Sequence, residues 1–286
     1  MKILLPVDGS KHSLNAVRYV AERLWPSLED AEITLLHVHS RVPPRAASAV
    51  GRTVVEAYYQ SEAEAAQKSA RKLLDQRGIP CNALRMPGYP GKVIPEYAES
   101  MGADLLVMGS HGLGAAKGLL LGSVTQAVIA NCGTPLLVIR EGQLPPEKGE
   151  VLVAVDGSAY TRRAVAYLLR HRAQFAPQGR ITLMHVSPPP GRMLTAVERI
   201  LESQRQTDNE RAMRPAKRLL DKVGVKYKAL NVTGDPGERL ADHARGNHAS
   251  LIVMGSHGRG SMTSLLLGSV TQKTLAAARA PVLIVR

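Results

Sequence analysis

Two glycine-rich stretches contain residues whose types and spacing suit phosphate binding. They are GSHGLGAAKGLLLGSVTQ, residues 109–126, and GSHGRGSMTSLLLGSVTQ, residues 255–272. Each follows an apolar run, ADLLVMG or ASLIVMG, that predicts a buried strand leading through the loop into a helix. Ligands bind at the carboxyl edge of open α/β sheets, and the unpaired N–H groups at a helix start attract anions. The sequence therefore predicts the same phosphate cradle twice.

The spacing inside the first loop predicts a structural role for its glycines and for Ser123. Gly109 and Gly112 would allow a turn with positive φ and a close backbone approach. Ser123, with Gln126 three residues later, fits a capping box that starts the next helix, and the second loop repeats this pattern. The alternative is that the glycines serve only tight strand-to-helix turns, since a single glycine pattern is a weak signal. Gene duplication would copy such a structural loop just as faithfully, so this alternative stays open.

An aspartate follows the first predicted strand of each half. Asp8 and Asp156 both stand in the sequence VDGS. Because the carboxyl ends of parallel strands meet at one edge of the sheet, each carboxylate could hydrogen-bond a ribose hydroxyl or hold a magnesium ion beside phosphates. The alternative is that Asp-Gly-Ser caps the first helix, and both roles can hold at once.

Serine and histidine are adjacent in both loops. Ser110 precedes His111 and Ser256 precedes His257, which could suggest a nucleophile and its base. Sequence neighbours rarely face each other in that geometry, so we expect the loop histidine to lie over phosphate instead. The sequence has no Walker lysine motif, dinucleotide fingerprint or nucleophile elbow. We therefore predict no catalytic residue and no machinery for fast hydrolysis.

Candidate metal ligands are sparse. His37 and His185 lie inside predicted strands and are expected to be hydrogen-bonded core residues, and no His, Asp or Glu spacing predicts a transition-metal site. Cys81 and Cys132 have no counterparts in the second half and form no C-x-x-C pair, which argues against disulfides and zinc. This cysteine usage predicts a reducing, cytoplasmic location.

A formal net charge of +13 raises the question of nucleic acid. Basic residues are mixed with acidic ones, as in RKLLDQRG and KRLLDKVG, and aromatics make up 3% of the chain, which leaves no stacking platform. We expect solvated basic helix faces that favour polyanionic ligands, and no nucleic-acid partner. No apolar run is long enough to span a bilayer, and MKILLPVDGS lacks the features of a secretory signal, so no membrane partner is expected.

The elements that must position these residues occur twice. ILLPVDGS recurs 148 residues later as VLVAVDGS, and TPLLVIR recurs 146 residues later as APVLIVR. The chain is therefore one module written twice, residues 1–140 and 149–286, joined by the polar linker EGQLPPEKG at 141–149. Apolar strands alternate with helices in each module, which predicts a doubly wound α/β fold with a parallel sheet between helix layers.

Apolar runs and helix breakers place the elements of the first module. The predicted strands are 2–7, 32–38, 81–86, 105–108 and 135–140, and the predicted helices are 13–24, 54–76, one from 90 and one from 123. Residues 41–51 are expected to form a loop. In the second module Pro215 is expected to end or kink the long helix near Arg214.

These features resemble the universal stress protein family in its tandem form. The resemblance lies in VDGS after the first strand, a G-x-P-G turn, and G-x2-G-x9-G-S closing each half, and it covers nearly the whole chain. It implies a Rossmann-like strand order 3-2-1-4-5 and, for members with this glycine pattern, binding of ATP or AMP. It also implies that the two modules pair through their last strands. Whether the chain then stays monomeric or forms a homodimer is left open by the sequence.

The resemblance also implies which residues enclose the nucleotide. In the first module these are Pro6, Val7 and Asp8 beside the nucleoside, Val38 at the adenine, and Met108, Gly109, Gly112, Gly122, Ser123 and Val124 around ribose and phosphates. In the second module they are Val155, Asp156, Val186, Met254, Gly255, Gly258, Gly268, Ser269 and Val270. Ala154 stands where the first module has Pro6, a change that removes no polar contact. By residue type alone Met108 and Met254 would be core residues.

The function predicted from these features is binding of an adenine nucleotide, ATP or else ADP or AMP, with Mg²⁺ as an accompanying ion. Nucleotide occupancy would act as a stress-response signal or as a stabiliser, with little or no turnover. Two alternatives remain: a slow ATPase or nucleotide-dependent enzyme, and an interaction module whose loops are vestigial.

Overall fold

The computed structural model describes residues 1–112, 121–140, 144–146, 149–177, 179–189, 195–258 and 268–286, with the backbone alone for 195–202. The chain divides into two compact units, Met1–Glu141 and Gly142–Arg286, called here the first and the second unit. The middle of each glycine-rich loop, residues 113–120 and 259–267, lies outside the described residues, as does most of the predicted linker.

The first unit alternates strands with helices. Its described elements are β1 (Lys2–Pro6), α1 (Lys11–Tyr19), β2 (Glu32–His39), α2 (Pro44–Val50), α3 (Arg52–Asp75), β3 (Cys81–Pro87), α4 (Pro90–Ser100), β4 (Leu105–Gly109), α5 (Ser123–Asn131) and β5 (Leu136–Ile139). Helix α1 runs on into a π-helical turn, Val20–Leu24, and a 3-10 turn, Trp25–Ser27.

The second unit repeats this succession. Its described elements are β6 (Val151–Ala154), α6 (Ala159–Arg170), α7 (Arg172–Phe175), β7 (Ile181–Ser187), α8 (Thr195–Lys222), β8 (Tyr227–Thr233), α9 (Pro236–Gly246), β9 (Leu251–Gly255), α10 (Ser269–Ala277) and β10 (Val282–Val285).

Each unit contains a parallel sheet with the predicted order. The first unit runs β3-β2-β1-β4-β5 and the second β8-β7-β6-β9-β10. The doubly wound α/β prediction and the order 3-2-1-4-5 are therefore confirmed within each unit. From β1 the chain first adds β2 on one side and later β4 on the other, so the carboxyl ends of β1 and β4 flank a topological switch point. Ligands bind at such points in open α/β sheets.

The central strands are buried because helices cover both faces of the sheet. Ile3, Leu4 and Leu5 in β1 and Leu105 and Leu106 in β4 expose no surface. Helix α1 contacts α3, and α4 contacts α5, which gives the two helix layers; in the second unit α6 contacts α8, and α9 contacts α10. The continuous apolar runs that predicted these strands are thus explained by two-sided burial. None of the helices in the described ranges combines the length and the apolar character that a membrane crossing requires.

At two prolines the structure differs from the prediction, because proline was given too much weight as a helix breaker. Residues 44–50, expected as loop, form α2, in which Pro44 occupies the first turn, where its missing N–H costs nothing. Pro215 does not end α8, which continues to Lys222, and a kink there stays a prediction. Ala212, Met213, Ala216 and Leu220 are buried on either side of that proline, and this packing outweighs the lost backbone hydrogen bond.

The capping residues also differ from the prediction. Ser10 and Ser158 cap α1 and α6, because their hydroxyl oxygens accept the N–H of Ser13 at 3.1 Å and of Thr161 at 3.2 Å. The capping box expected at Ser123 is absent: the cap position of α5 is Gly122, and no side chain caps the helix. Helix α10 starts in the same way, with Gly268 at its cap position and Ser269 inside the first turn.

We expect Ser10→Ala and Ser158→Ala each to lower the free energy of unfolding by about 1 kcal/mol, because each removes an N-cap acceptor. Urea-unfolding midpoints in the absence of nucleotide measure this loss. Ser123→Ala is the matched control, since Ser123 is exposed and caps no helix, and it should change stability by less than about 0.5 kcal/mol. A loss in the control as large as that in Ser10→Ala would contradict the assignment of Gly122 as the cap.

Candidate functional site

A cavity lies at the carboxyl edge of the sheet in each unit, at the switch point. The cavity of the first unit, called here the first pocket, has a volume of about 360 Å³, and that of the second unit, the second pocket, about 420 Å³. Their walls come from equivalent elements: the ends of the first, second and fourth strands, the helix that begins with the G-x-P-G turn, and the start of the helix after the glycine-rich loop.

All the residues predicted for the site line these two cavities. The first pocket includes Pro6, Val7, Asp8, Val38, Met108, Gly109, Gly112, Gly122, Ser123 and Val124. The second pocket includes Val155, Asp156, Val186, Met254, Gly255, Gly258, Gly268, Ser269 and Val270, together with Ala154. Tertiary structure thus brings together residues that are up to about 120 positions apart in each unit, as expected for parallel strands that share one edge. Contact of these residues with a nucleotide stays a prediction.

Sequence reasoning missed several wall residues, although signals for them were present. Pro90 and Ile94 in the first pocket match Pro236 and Leu240 in the second, and both pairs stand at helical i, i+4 spacing after the G-x-P-G turn. Leu36 and Met184 lie two positions before Val38 and Val186, which is the period of a strand face. The remaining additions are Ser13 and Thr125 in the first pocket and Thr161, His185 and Thr271 in the second. The loop histidines, which were expected over the phosphate, also line the pockets.

The glycines at the strand ends are required by helix packing. Gly109 and Gly255 do not adopt positive φ, contrary to our expectation for the first loop. A Cβ on Gly109 would lie 2.6 Å from the backbone carbonyl of His12, and one on Gly255 would lie 2.6 Å from Cβ of Tyr160. The close approach is therefore to the first helix of the unit. Positive φ occurs instead in the VDGS turns, at Gly9 and Gly157.

The next glycine in each loop makes room for a carboxylate. A Cβ on Gly112 would lie 2.6 Å from Oδ2 of Asp8, and one on Gly258 would lie 3.0 Å from Oδ2 of Asp156. Gly112 does not adopt positive φ either, so the loop does not depend on the conformational freedom of this glycine. The glycine-rich loop and the strand-end aspartate consequently meet in both pockets.

The two aspartates are held in place by their own turns. Oδ1 of Asp8 accepts the N–H of Ser10 at 3.0 Å, and Oδ1 of Asp156 accepts the N–H of Ser158 at 2.9 Å and the hydroxyl of Thr161 at 2.5 Å. These bonds support the structural role left open by the sequence. These bonds hold Oδ1 in place, and Oδ2 of each carboxylate lies beside the glycine-rich loop.

Hydrogen bonds hold the start of the helix after each loop against the end of the preceding strand. The hydroxyl of Thr125 donates to the carbonyl of Gly109 at 3.1 Å, and that of Thr271 donates to Gly255 at 3.2 Å. The N–H of Gly122 donates to the carbonyl of Ser110 at 2.9 Å. No side chain within the described residues caps α5 or α10, and the start of each helix lies at the cavity wall.

The strand histidines have different surroundings in the two units. Nδ1 of His37 lies 2.9 Å from the carbonyl of Val7 and its side chain is buried, as expected for a core histidine. Nδ1 of His185 lies 2.6 Å from the carbonyl of Val155, but His185 also lines the second pocket. The core prediction therefore does not hold for His185, which sequence spacing alone could not reveal.

The serine and histidine of each loop do face each other, contrary to our expectation. Ser110 Oγ lies 3.0 Å from His111 Nδ1, and Ser256 Oγ lies 2.9 Å from His257 Nδ1. Both serines are 1% exposed and neither lines a pocket, whereas both histidines do. The hydroxyl groups thus orient the imidazoles and are not directed at the cavities. Within the described ranges no group of three or more His, Cys, Asp or Glu side chains could hold a metal ion.

The rims of the two pockets carry different side chains. Lys273 of α10 forms an ion pair with Asp235, the cap of α9, and this hydrogen bond lowers the pKa of the Asp235 carboxyl and raises that of the Lys273 ammonium. Tyr89 and Ala127 occupy the equivalent positions in the first unit. The second rim therefore carries a salt bridge where the first carries an exposed aromatic ring.

Comparison with known proteins agrees with this architecture. The model of the universal stress protein family matches residues 1–140 and 149–286. A universal stress protein from Mycolicibacterium smegmatis is 28% identical over 302 residues, covering 99% of this chain and 96% of that protein. The crystal structure of a universal stress protein from Archaeoglobus fulgidus has a TM-score of 0.70 and 21% identity, covering 100% of this chain and 98% of its own.

A family protein from Arabidopsis thaliana, solved with AMP bound, covers 50% of this chain and 92% of its own, with 20% identity and a TM-score of 0.37. The family model accounts for nearly all of the sequence in two successive matches. This chain belongs to the universal stress protein family and consists of two modules of that family in tandem.

Proposed function

We propose that each unit binds one adenine nucleotide, with ATP as the ligand. The observation that carries the proposal is a matched pair of cavities, each ending on a helix start that no side chain in the described residues caps. AMP is bound in the Arabidopsis protein; for this chain the proposal rests on its own two cavities.

The apolar end of each cavity suits adenine. In the first pocket Leu36, Val38, Ile94 and Met108 form this end, and in the second Met184, Val186, Leu240 and Met254 do so. Cavities of about 300–1,000 Å³ with apolar walls and a few fixed polar groups are typical of small-molecule sites. The aspartate between the two ends is placed to accept hydrogen bonds from ribose hydroxyls.

The phosphates occupy the other end, against the backbone amides at the start of α5 or α10. The described pocket walls contain no lysine or arginine, so the anion is held there by N–H groups and the helix dipole. One aspartate per pocket is too few to hold Mg²⁺ alone, and magnesium would enter with the phosphates as its other ligands.

Nucleotide occupancy then serves as the signal or stabiliser in a stress response, with slow turnover or none. The buried serines give no support to a hydrolase, because neither hydroxyl lines a pocket. An interaction module with vestigial loops gains no support either, because both cavities are open and equivalent in composition. Pairing of the two modules, a homodimer and a cytoplasmic location stay predictions, and light scattering of the purified chain would decide between monomer and dimer.

We expect ATP with Mg²⁺ to raise the melting temperature of the full chain, and Ser123→Asp with Ser269→Asp to abolish that rise. At a hundredfold excess over its dissociation constant a ligand specific for the folded state adds about 2.7 kcal/mol. The new carboxylates would repel phosphate at both helix starts, yet without ATP they should leave stability equal or higher, since acids in the first turn favour the helix dipole. Scanning calorimetry with and without ATP measures both effects.

The matched control is Ser123→Asn with Ser269→Asn, which keeps nearly the same side-chain size without the charge and should retain most of the ATP shift. An unchanged wild-type melting temperature at millimolar ATP, or a full shift in the aspartate variant, would count against the proposal. Mass spectrometry of small molecules released from freshly purified protein identifies the nucleotide carried.

We expect bound ATP to be recovered intact, because the described wall residues of the two pockets include no nucleophile and base in a hydrolytic arrangement. Phosphate release by the wild-type chain should equal that of a blank without protein over hours. Asp8→Ala with Asp156→Ala is the comparison variant. Release above the blank that disappears in this variant would favour the slow enzyme instead.

A further inference from the structure

In the second pocket a threonine on the first helix of the unit is bonded to the carboxylate of the strand-end aspartate. The hydroxyl of Thr161 donates to Oδ1 of Asp156 at 2.5 Å, and its oxygen accepts the backbone N–H of the same aspartate at 3.3 Å. Thr161 is 2% exposed and lies in the first turn of α6, and both residues line the pocket. The threonine therefore acts on the cavity wall through the carboxylate.

The backbone that carries Asp156 is held as well. Nδ1 of His185 lies 2.6 Å from the carbonyl oxygen of Val155, and since a carbonyl only accepts, Nδ1 carries the proton of this hydrogen bond. The N–H of Val155 donates to the carbonyl of Met184 at 2.9 Å. The N–H of Ser158 donates to Oδ1 of Asp156 at 2.9 Å. The protein's own groups thus fix the aspartate from its main chain and from its side chain.

The second carboxylate oxygen lies on the side of the glycine-rich loop. A Cβ on Gly258, which also lines the pocket, would lie 3.0 Å from Oδ2 of Asp156. A carboxylate accepts hydrogen bonds and repels phosphate, so the part of a nucleotide that suits this oxygen is a neutral donor. With adenine at the apolar end of the cavity and phosphates at the start of α10, the ribose hydroxyls are the donors beside Asp156.

The first unit uses the equivalent hydroxyl differently. Ser13 stands where the second unit has Thr161, and its hydroxyl donates to the carbonyl of Ser10 at 3.0 Å. A hydroxyl has a single proton, so Ser13 does not donate to Asp8 at the same time. The hydrogen bond from the first helix to the carboxylate is consequently a feature of the second pocket, and the first pocket provides an internal comparison.

We infer that Thr161 is a positioning residue of the second pocket, which holds the Asp156 carboxylate to accept a ribose hydroxyl and so selects ribonucleotides over deoxyribonucleotides. This inference rests on the proposed nucleotide function. A hydrogen bond to a charged group contributes more than one between neutral groups. An acceptor that is fixed in advance also spares the ligand the cost of ordering it.

Thr161→Val tests the inference in the full chain, since valine keeps the shape of threonine without the hydroxyl. The probe is 8-azido-ATP, crosslinked by light and located by peptide mass spectrometry, with ATP, 2′-deoxyATP or 3′-deoxyATP as competitor. In second-unit peptides of the wild type, the poorer deoxy analogue should compete about tenfold less well than ATP, the ratio expected for one hydrogen bond to a charged group. In the variant this ratio should fall to about threefold or less, because competition by ATP weakens and competition by the deoxy analogue does not.

Two further variants separate positioning from stability. Thr161→Ala removes the same hydroxyl with a smaller side chain and should lower the ratio equally. Thr182→Val is the matched control: this threonine is 3% exposed, and its hydroxyl donates to the carboxylate of Glu150. Thr182 lies near the amino end of β7, at the edge of the sheet opposite the pocket, so its replacement should leave the ratio at the wild-type value. First-unit peptides in the same samples should show no change in any variant.

An unchanged ratio in both Thr161 variants, or an equal fall in Thr182→Val, would overturn the role of Thr161. Deoxy analogues that compete as well as ATP for the second unit of the wild type would overturn the inference and leave the nucleotide function standing. If ATP protects neither unit of the wild type from labelling, the nucleotide function and the inference both fail.

Discussion

The site depends on one interaction that occurs in both units, the hydrogen bond from a threonine hydroxyl in the first helical turn to the carbonyl of the strand-end glycine. Thr125 makes it to Gly109, and Thr271 makes it to Gly255. The bond uses the carbonyl at the strand end and holds the following helix start against the cavity. The cap position is a glycine without a side chain, so no side chain among the described residues caps that helix start. A helix start of this kind favours an anion without the help of a charged residue.

The glycines of the motif have separate tasks, although they form one sequence pattern. The glycine at the strand end admits the first helix of the unit, the second makes room for the aspartate, and the third caps the helix. Each task excludes a side chain for a different steric reason, and none of them uses positive φ. A glycine pattern that predicts ligand binding from the sequence is thus partly a packing requirement. Packing and ligand binding are compatible roles, because the packing places the glycine-rich loop beside the cavity.

Duplication preserved the cavity walls and changed what surrounds them. The walls come from buried strand ends, where a substitution disturbs packing, and they are nearly the same in both units. At the rims, Tyr89 and Ala127 of the first unit correspond to Asp235 and Lys273 of the second. Exposed positions tolerate exchanges at little cost in stability, so the surroundings of the two cavities can diverge without a change of fold.

The sequence by itself determined the repeat and the alternation of strands and helices, because apolar runs buried on both faces leave a strong pattern. The strand order was inferred from a family resemblance. The resemblance to a family supplied the residue list that periodicity alone did not. Tertiary structure alone decided that Ser110 and Ser256 turn towards their histidines and away from the cavities, and that Gly109 faces His12. It also decided that α8 continues through Pro215. These outcomes depend on contacts between residues distant in sequence, and a local pattern carries no information about which neighbour will lie within hydrogen-bonding or packing distance.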